Sequence, residues 1–181
     1  MSRRRVRLVL LCEDRQHEAF VRRFFELMGW EKRQLEVVRS PKGRGAAEQW
    51  VRSEYPAQVQ KLRSAPHIDA GLAVLIDEDL GGPGSRERDL ARALHAAGVR
   101  PLGDTERVAL AAPARNIETW FAYLRGDEVD ELTEYPRLAQ ERECRPMATI
   151  LAGMCRQRQL REPAPPSLDR ACAEYRARLD R

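Results

Sequence analysis

The sequence predicts an α/β fold: a mainly parallel sheet with helices on both faces, followed by C-terminal helices. Three observations carry this. Short apolar runs recur at residues 6–12, 35–38, 70–76 and 107–111, the length of strands rather than of helices. The segments between them place apolar residues at three- and four-residue spacing, as helices covering a sheet do. Two of the runs end abruptly in acids, at Cys12-Glu13-Asp14 and at Ile76-Asp77-Glu78-Asp79, which is how buried strands look when their carboxyl ends open onto a site.

Residues 6–12 read as a central strand, followed by an acidic turn and an amphipathic helix carrying Phe20, Val21, Phe24, Phe25 and Met28, closed by Gly29. A short second strand at 35–38 leads into the loop Arg39-Ser40-Pro41-Lys42-Gly43-Arg44-Gly45, which cannot be regular structure. A helix over 46–63 follows. The third strand, 70–76, runs into the glycine-rich turn 81–84, and Ser85 reads as the cap of a helix that Gly98 stops. After the fourth strand, ended by Pro113, Asn116 reads as the cap of a helix carrying Ile117, Trp120, Phe121 and Leu124. Residues 1–125 thus form an α/β core.

Residues 126–181 form a helical extension expected to pack on that core or on a partner. It has an acidic linker at 127–134, a helix at 146–159, a proline break, and a last helix capped by Ser167. Its apolar positions, Leu151, Met154, Leu160, Leu168, Tyr175 and Leu179, either close the core or mediate a homodimer, and periodicity does not distinguish these. Arg145, Arg156, Arg158 and Arg161 read as helix-surface residues.

At 181 residues the chain can build one good core with an appendage. Apolar residues make up 43% and charged residues 33%, and no apolar stretch approaches the ~20 residues that span a bilayer, so no membrane role is expected. The basic, partly apolar start is not a secretory signal, because Arg7 interrupts it, no cleavage site follows and Glu13-Asp14 come at once; a cytoplasmic protein is expected. Cys12, Cys144, Cys155 and Cys172 have no metal-ligand or disulfide-framework spacing and read as free, buried thiols. A net charge of +4 is compatible with nucleic-acid binding without requiring it.

Asp77 and Asp79 stand two residues apart and share one side of the strand if it stays extended. Carboxylates that close repel unless a cation lies between them, and hard oxygen donors suit Mg²⁺ or Mn²⁺. Alone, the pair reads better as a solvated acidic turn. Glu13, at the equivalent end of another strand, makes a divalent-metal cage the stronger reading. Glu118, in the first turn after the fourth strand, is a further candidate ligand, with a favourable charge at a helix N-terminus as the equal alternative. Arg39, Lys42 and Arg44 suit a phosphate backbone, and Gly43 and Gly45 allow close backbone approach; a solvated basic loop is the equal alternative. No P-loop or dinucleotide signature accompanies these glycines. Trp30, Trp50 and Trp120 read as core or interface anchors rather than base-stacking platforms, and His67 and His95 receive no role.

The run Leu8-Val9-Leu10-Leu11-Cys12-Glu13-Asp14 before a helix, with Val74-Leu75-Ile76-Asp77-Glu78-Asp79 later, resembles the Toprim fold of topoisomerases, primases and OLD-family nucleases. Pro113-Ala114-Arg115-Asn116-Ile117-Glu118-Thr119-Trp120 resembles a later segment of the compact Toprim-like proteins of bacterial defence loci, which often sit beside an ABC- or SMC-type ATPase. The resemblance spans residues 6–125. It implies that Glu13, Asp77 and Asp79 bind Mg²⁺ and that Glu13 also assists proton transfer. The chain departs from the pattern at Asp14, where many relatives have glycine, and at His17, where they have an acid. His17 reads as a surface or capping residue and Glu18 as an outer ligand.

The function expected is Mg²⁺-dependent hydrolysis of phosphodiester bonds in DNA or RNA, as an effector subunit of an anti-phage system. The alternative is a catalytically inactive Toprim-like scaffold or sensor bound to a partner ATPase, since the chain is small and its acid set incomplete. A phosphatase reading ranks last, because phosphatases of the haloacid-dehalogenase type carry their nucleophilic DxD after the first strand, where this chain has Glu13-Asp14.

Overall fold

The computed structural model describes residues 6–40 and 47–180. Strands β1 (Arg7–Cys12), β2 (Leu35–Val38), β3 (Ala70–Leu75) and β4 (Val108–Ala111) form one sheet in the order β2-β1-β3-β4, with every neighbouring pair parallel. The chain leaves β1 for one edge and returns to β3 on the other side of β1. The strand order therefore reverses between β1 and β3, and a crevice at their carboxyl ends is the expected place for a ligand.

The helices are α1 (Arg15–Leu27), α2 (Ala47–Ser64), α3 (Ser85–Ala96), α4 (Glu118–Arg125), α5 (Arg145–Gln157) and α6 (Pro166–Arg178). Alternate strand residues point to opposite faces, and each face has its own core. On one, Leu8, Leu10 and Leu75 meet Phe20 and Phe24 of α1, Phe121 of α4, Leu151 of α5 and Tyr175 of α6. On the other, Leu11, Val74 and Ile76 meet Val51 and Val59 of α2 and Leu90 and Leu94 of α3. The sheet is covered on both faces, as its uninterrupted apolar strands require. The apolar positions of α5 and α6 close the first core, and Trp30, Trp50 and Trp120 all pack in or against the two cores.

α4 is buried from Glu118 to Leu124 and so has to satisfy its polar groups inside the protein. Trp120 Nε1 donates to Ser167 Oγ at 2.8 Å. Tyr123 donates its hydroxyl to the carbonyl of Arg161 at 2.5 Å. Arg161 is exposed, past the end of α5, and is engaged there: its guanidinium donates to the carbonyls of Tyr123 (2.5 Å) and Gly126 (2.8 Å) and lies 4.6 Å from the centre of the Tyr123 ring. It thereby adds donors to carbonyls at the end of α4, where a cation is favoured.

The capping expectations at Ser85, Asn116 and Ser167 fail. α3 starts at Ser85 after Gly84, which takes φ 76, and the Ser85 hydroxyl is buried without a partner. The side-chain oxygen of Asn116 is also buried without a partner. Ser167 accepts from Trp120 instead of capping α6. The cap the sequence hid is Asp14, which accepts the His17 N–H at 2.9 Å and starts α1 directly after β1. The four cysteines are free and buried, and among the described residues no helix is long and apolar enough to cross a membrane.

Phe121 is fully buried and meets Phe20 edge-on at 5.1 Å between ring centres. Phe121→Ala should cost about 3–5 kcal/mol in chemical denaturation. A cost below about 1 kcal/mol would show that α4 is not a core helix.

Candidate metal centre

The site forms where β1 and β3 end. The ladder between them runs one residue past the strands, with Glu13 N–H donating to the carbonyl of Leu75 at 3.2 Å. Glu13 then turns its side chain across the seam, and its Oε2 accepts the backbone N–H of Asp77 at 3.0 Å. The Glu13 side chain from the end of β1 is thereby fixed on the backbone of Asp77 at the end of β3.

Behind them lies His17. One turn into α1, it is fully buried, with Nε2 3.1 Å from Asp77 Oδ1 and Nδ1 buried without a partner. This corrects the reading of His17 as a surface or capping residue. The Asp14 cap fixes the start of α1, and one helical turn carries the imidazole inward onto Asp77.

Asp79 departs from the expected geometry. Its φ is 49, in the left-handed region, and its N–H donates to the carbonyl of Arg115 at 3.0 Å. The strand does not stay extended through the motif, so the two aspartates do not share a side. The Asp77 side chain is 14% exposed and that of Asp79 56%. Asp79 pairs with Arg86 at 2.8 Å, and the same guanidinium donates to the Asp77 carbonyl at 2.7 Å. Glu78, between them, is buried and accepts the Gly84 N–H at 2.7 Å, bracing the glycine turn.

The remaining candidates surround this pair at greater remove. Glu118 is buried, accepts from Gln16 Nε2 at 2.5 Å and lies 3.4 Å from Arg137. Glu18 is held by Arg39 at 2.9 Å and by Arg22 at 3.4 Å. Arg39 stands on the rim of the adjoining cleft; Lys42, Gly43, Arg44 and Gly45 lie outside the described residues. Gln16, Arg86 and Arg137, absent from the sequence reading, are thus parts of the site. Arg86 stands nine positions after Asp77, and only the path of the glycine turn, which spacing does not reveal, returns it to the motif.

The electrostatics suit a cation. Burial, reinforced by the charges of Asp77 and Asp79, pushes the Glu13 carboxyl up to about 7, against the opposing Asp77 N–H bond and His17. Burial also raises Asp77, with Glu118 and Asp14 adding to the effect and His17 opposing it. For His17, burial favours the neutral ring, yet Asp77, Asp14 and Glu13 together raise it to about 9. Two hard-oxygen donors, Glu13 and Asp77, therefore fit a divalent cation. Among the described residues no group of three or more His, Cys, Asp or Glu side chains is gathered closely enough to hold a metal, because Asp79 is drawn to Arg86 and Glu118 to Gln16 and Arg137.

The His17 shift fixes a sign. Its folded value lies above the ordinary 6.5, so its contribution to stability is complete below that pH and is lost as pH rises toward about 9. In EDTA, the thermal midpoint of the wild type should fall across this window, and His17→Gln should flatten that fall. Parallel curves for the two proteins would contradict the pairing of His17 with Asp77.

No protein-family model, no curated protein and no solved structure matches the chain.

Proposed function

We propose that the chain is a divalent-cation-dependent phosphodiesterase acting on DNA or RNA, with Glu13 and Asp77 as its central ligands. The observation that carries this reading is the hydrogen bond that fixes the half-buried Glu13 carboxylate on the backbone of the half-buried Asp77 at the reversal of strand order, where Glu13 is raised to about 7. Glu13 and Asp77 would hold Mg²⁺ or Mn²⁺, with Asp79 and Glu118 as supplementary donors. A cation of this class neutralises phosphoryl charge and acidifies a bound water. The chain's own groups would orient this centre: Asp77 N–H fixes Glu13, His17 fixes Asp77, and Arg86 fixes the backbone between the aspartates. The sequence resemblance to compact Toprim-like proteins supports the same chemistry. It is also the basis for proposing an effector role in bacterial antiviral defence, beside an ABC- or SMC-type ATPase.

A second reading has its own observation. His17 and Arg86 already supply positive charge to Asp77 and Asp79, as they would in a non-catalytic scaffold or sensor subunit that needs no metal. Calorimetry separates the two. Saturable Mn²⁺ binding that Asp77→Asn and Glu13→Gln each weaken, together with cleavage that falls by on the order of 100-fold in the same variants, supports the phosphodiesterase. Absence of saturable binding in the wild type would leave the scaffold.

A further inference from the structure

A cleft of about 1090 Å³ opens at the Glu13 end of the sheet. Its walls come from α1, the end of β2, and the single-turn 3-10 segment Glu141–Cys144 that leads into α5. Some of its charges cancel locally: Arg22 and Arg39 pair with Glu18, and Arg23 with Glu26. Asp14, near the inner end, is answered by Arg137 at 2.7 Å.

Four cations remain. Arg15, Lys32, Arg142 and Arg145 line the same cleft, are exposed, and make no side-chain hydrogen bond or ion pair among the described residues. Against them, among the described residues, stand Glu141 and Glu13. They come from three separate stretches of chain, so no single helix face accounts for the clustering. α5 begins at Arg145, which puts the positive end of its dipole on the same wall. Among the described residues no aromatic side chain lines the cleft, so they offer no platform on which bases could stack.

We propose that this cleft is a track for the phosphate backbone of a nucleic-acid strand, leading to Glu13 and gripped by Arg15, Lys32, Arg142 and Arg145 without readout of bases. The proposal rests on the reading of Glu13 and Asp77 as the reacting end. It gives the C-terminal segment a direct part in holding substrate, through Arg142 and Arg145. Arginine forks on phosphates supply affinity independent of sequence.

The test is fluorescence anisotropy with labelled oligonucleotides of several sequences, in EDTA, so that neither metal nor cleavage contributes. The expected result is sequence-independent binding whose logarithm falls with log salt at a slope of about −3, as four contacts on a single strand give. Arg142→Glu with Arg145→Glu should weaken binding at least about ten-fold and make the slope shallower by about 1–2. Arg92→Glu with Lys61→Glu makes the same change of charge on α3 and α2, on the opposite face of the sheet, and should leave binding within about two-fold. All four positions are exposed, and circular dichroism verifies that both variants fold. Equal losses in the two double variants, or tighter binding to an acidic peptide than to oligonucleotide, would overturn the proposal. Failure here with Mn²⁺ binding intact removes the track and spares the metal centre. Oligonucleotide binding without Mn²⁺ binding does the reverse.

Discussion

The hydrogen bond from Asp77 N–H to Glu13 Oε2, 3.0 Å long, ties the ends of β1 and β3 together at the point where the strand order reverses. Most of the site depends on it. It brings the Glu13 carboxylate against the backbone of Asp77, and partial burial of both acids makes their ionised forms costly and raises both carboxyls. The protein sets positive charge beside these acids, His17 from α1 on Asp77 and Arg86 from α3 on Asp79. Those two helices lie on opposite faces of the sheet, so the seam is secured from both sides.

The same compensation governs how a metal would enter. His17 sits against Asp77, and Arg86 against Asp79. A divalent cation at Glu13 and Asp77 therefore meets an imidazolium already bound there, and like charges in a confined space disfavour each other. Proton and metal are thus competing occupants of one cluster of oxygens, with a single helix start, fixed by the Asp14 cap, positioning the proton carrier.

The two-faced parallel sheet was legible in the sequence because apolar strands and amphipathic helices are repetitive signals, averaged over many residues. Each strand falls within a residue of its expected bounds. Glu13 and Asp77 were legible for a related reason: a residue's place at the end of a strand follows from the strand. Asp79 was not, because its side-chain direction turns on one left-handed φ and a bond to Arg115. His17 and Arg161 were misread or missed because each acts on residues far along the chain, and Arg86 because only the path of the glycine turn returns it to the motif; spacing carries no information about such contacts. The misplaced cap at Ser167 belongs to the same class, a local preference overridden by a tertiary contact.

The central claim is that Glu13 and Asp77 form a divalent-cation site in which His17 stands where positive charge is needed. A crystal structure of the protein soaked with Mn²⁺, with anomalous data collected above the manganese absorption edge, tests it most directly. The account predicts one anomalous peak in contact with the carboxylates of Glu13 and Asp77, with His17 Nε2 no longer bonded to Asp77 Oδ1. A peak elsewhere, or none, with His17 still on Asp77 at saturating Mn²⁺, would contradict it.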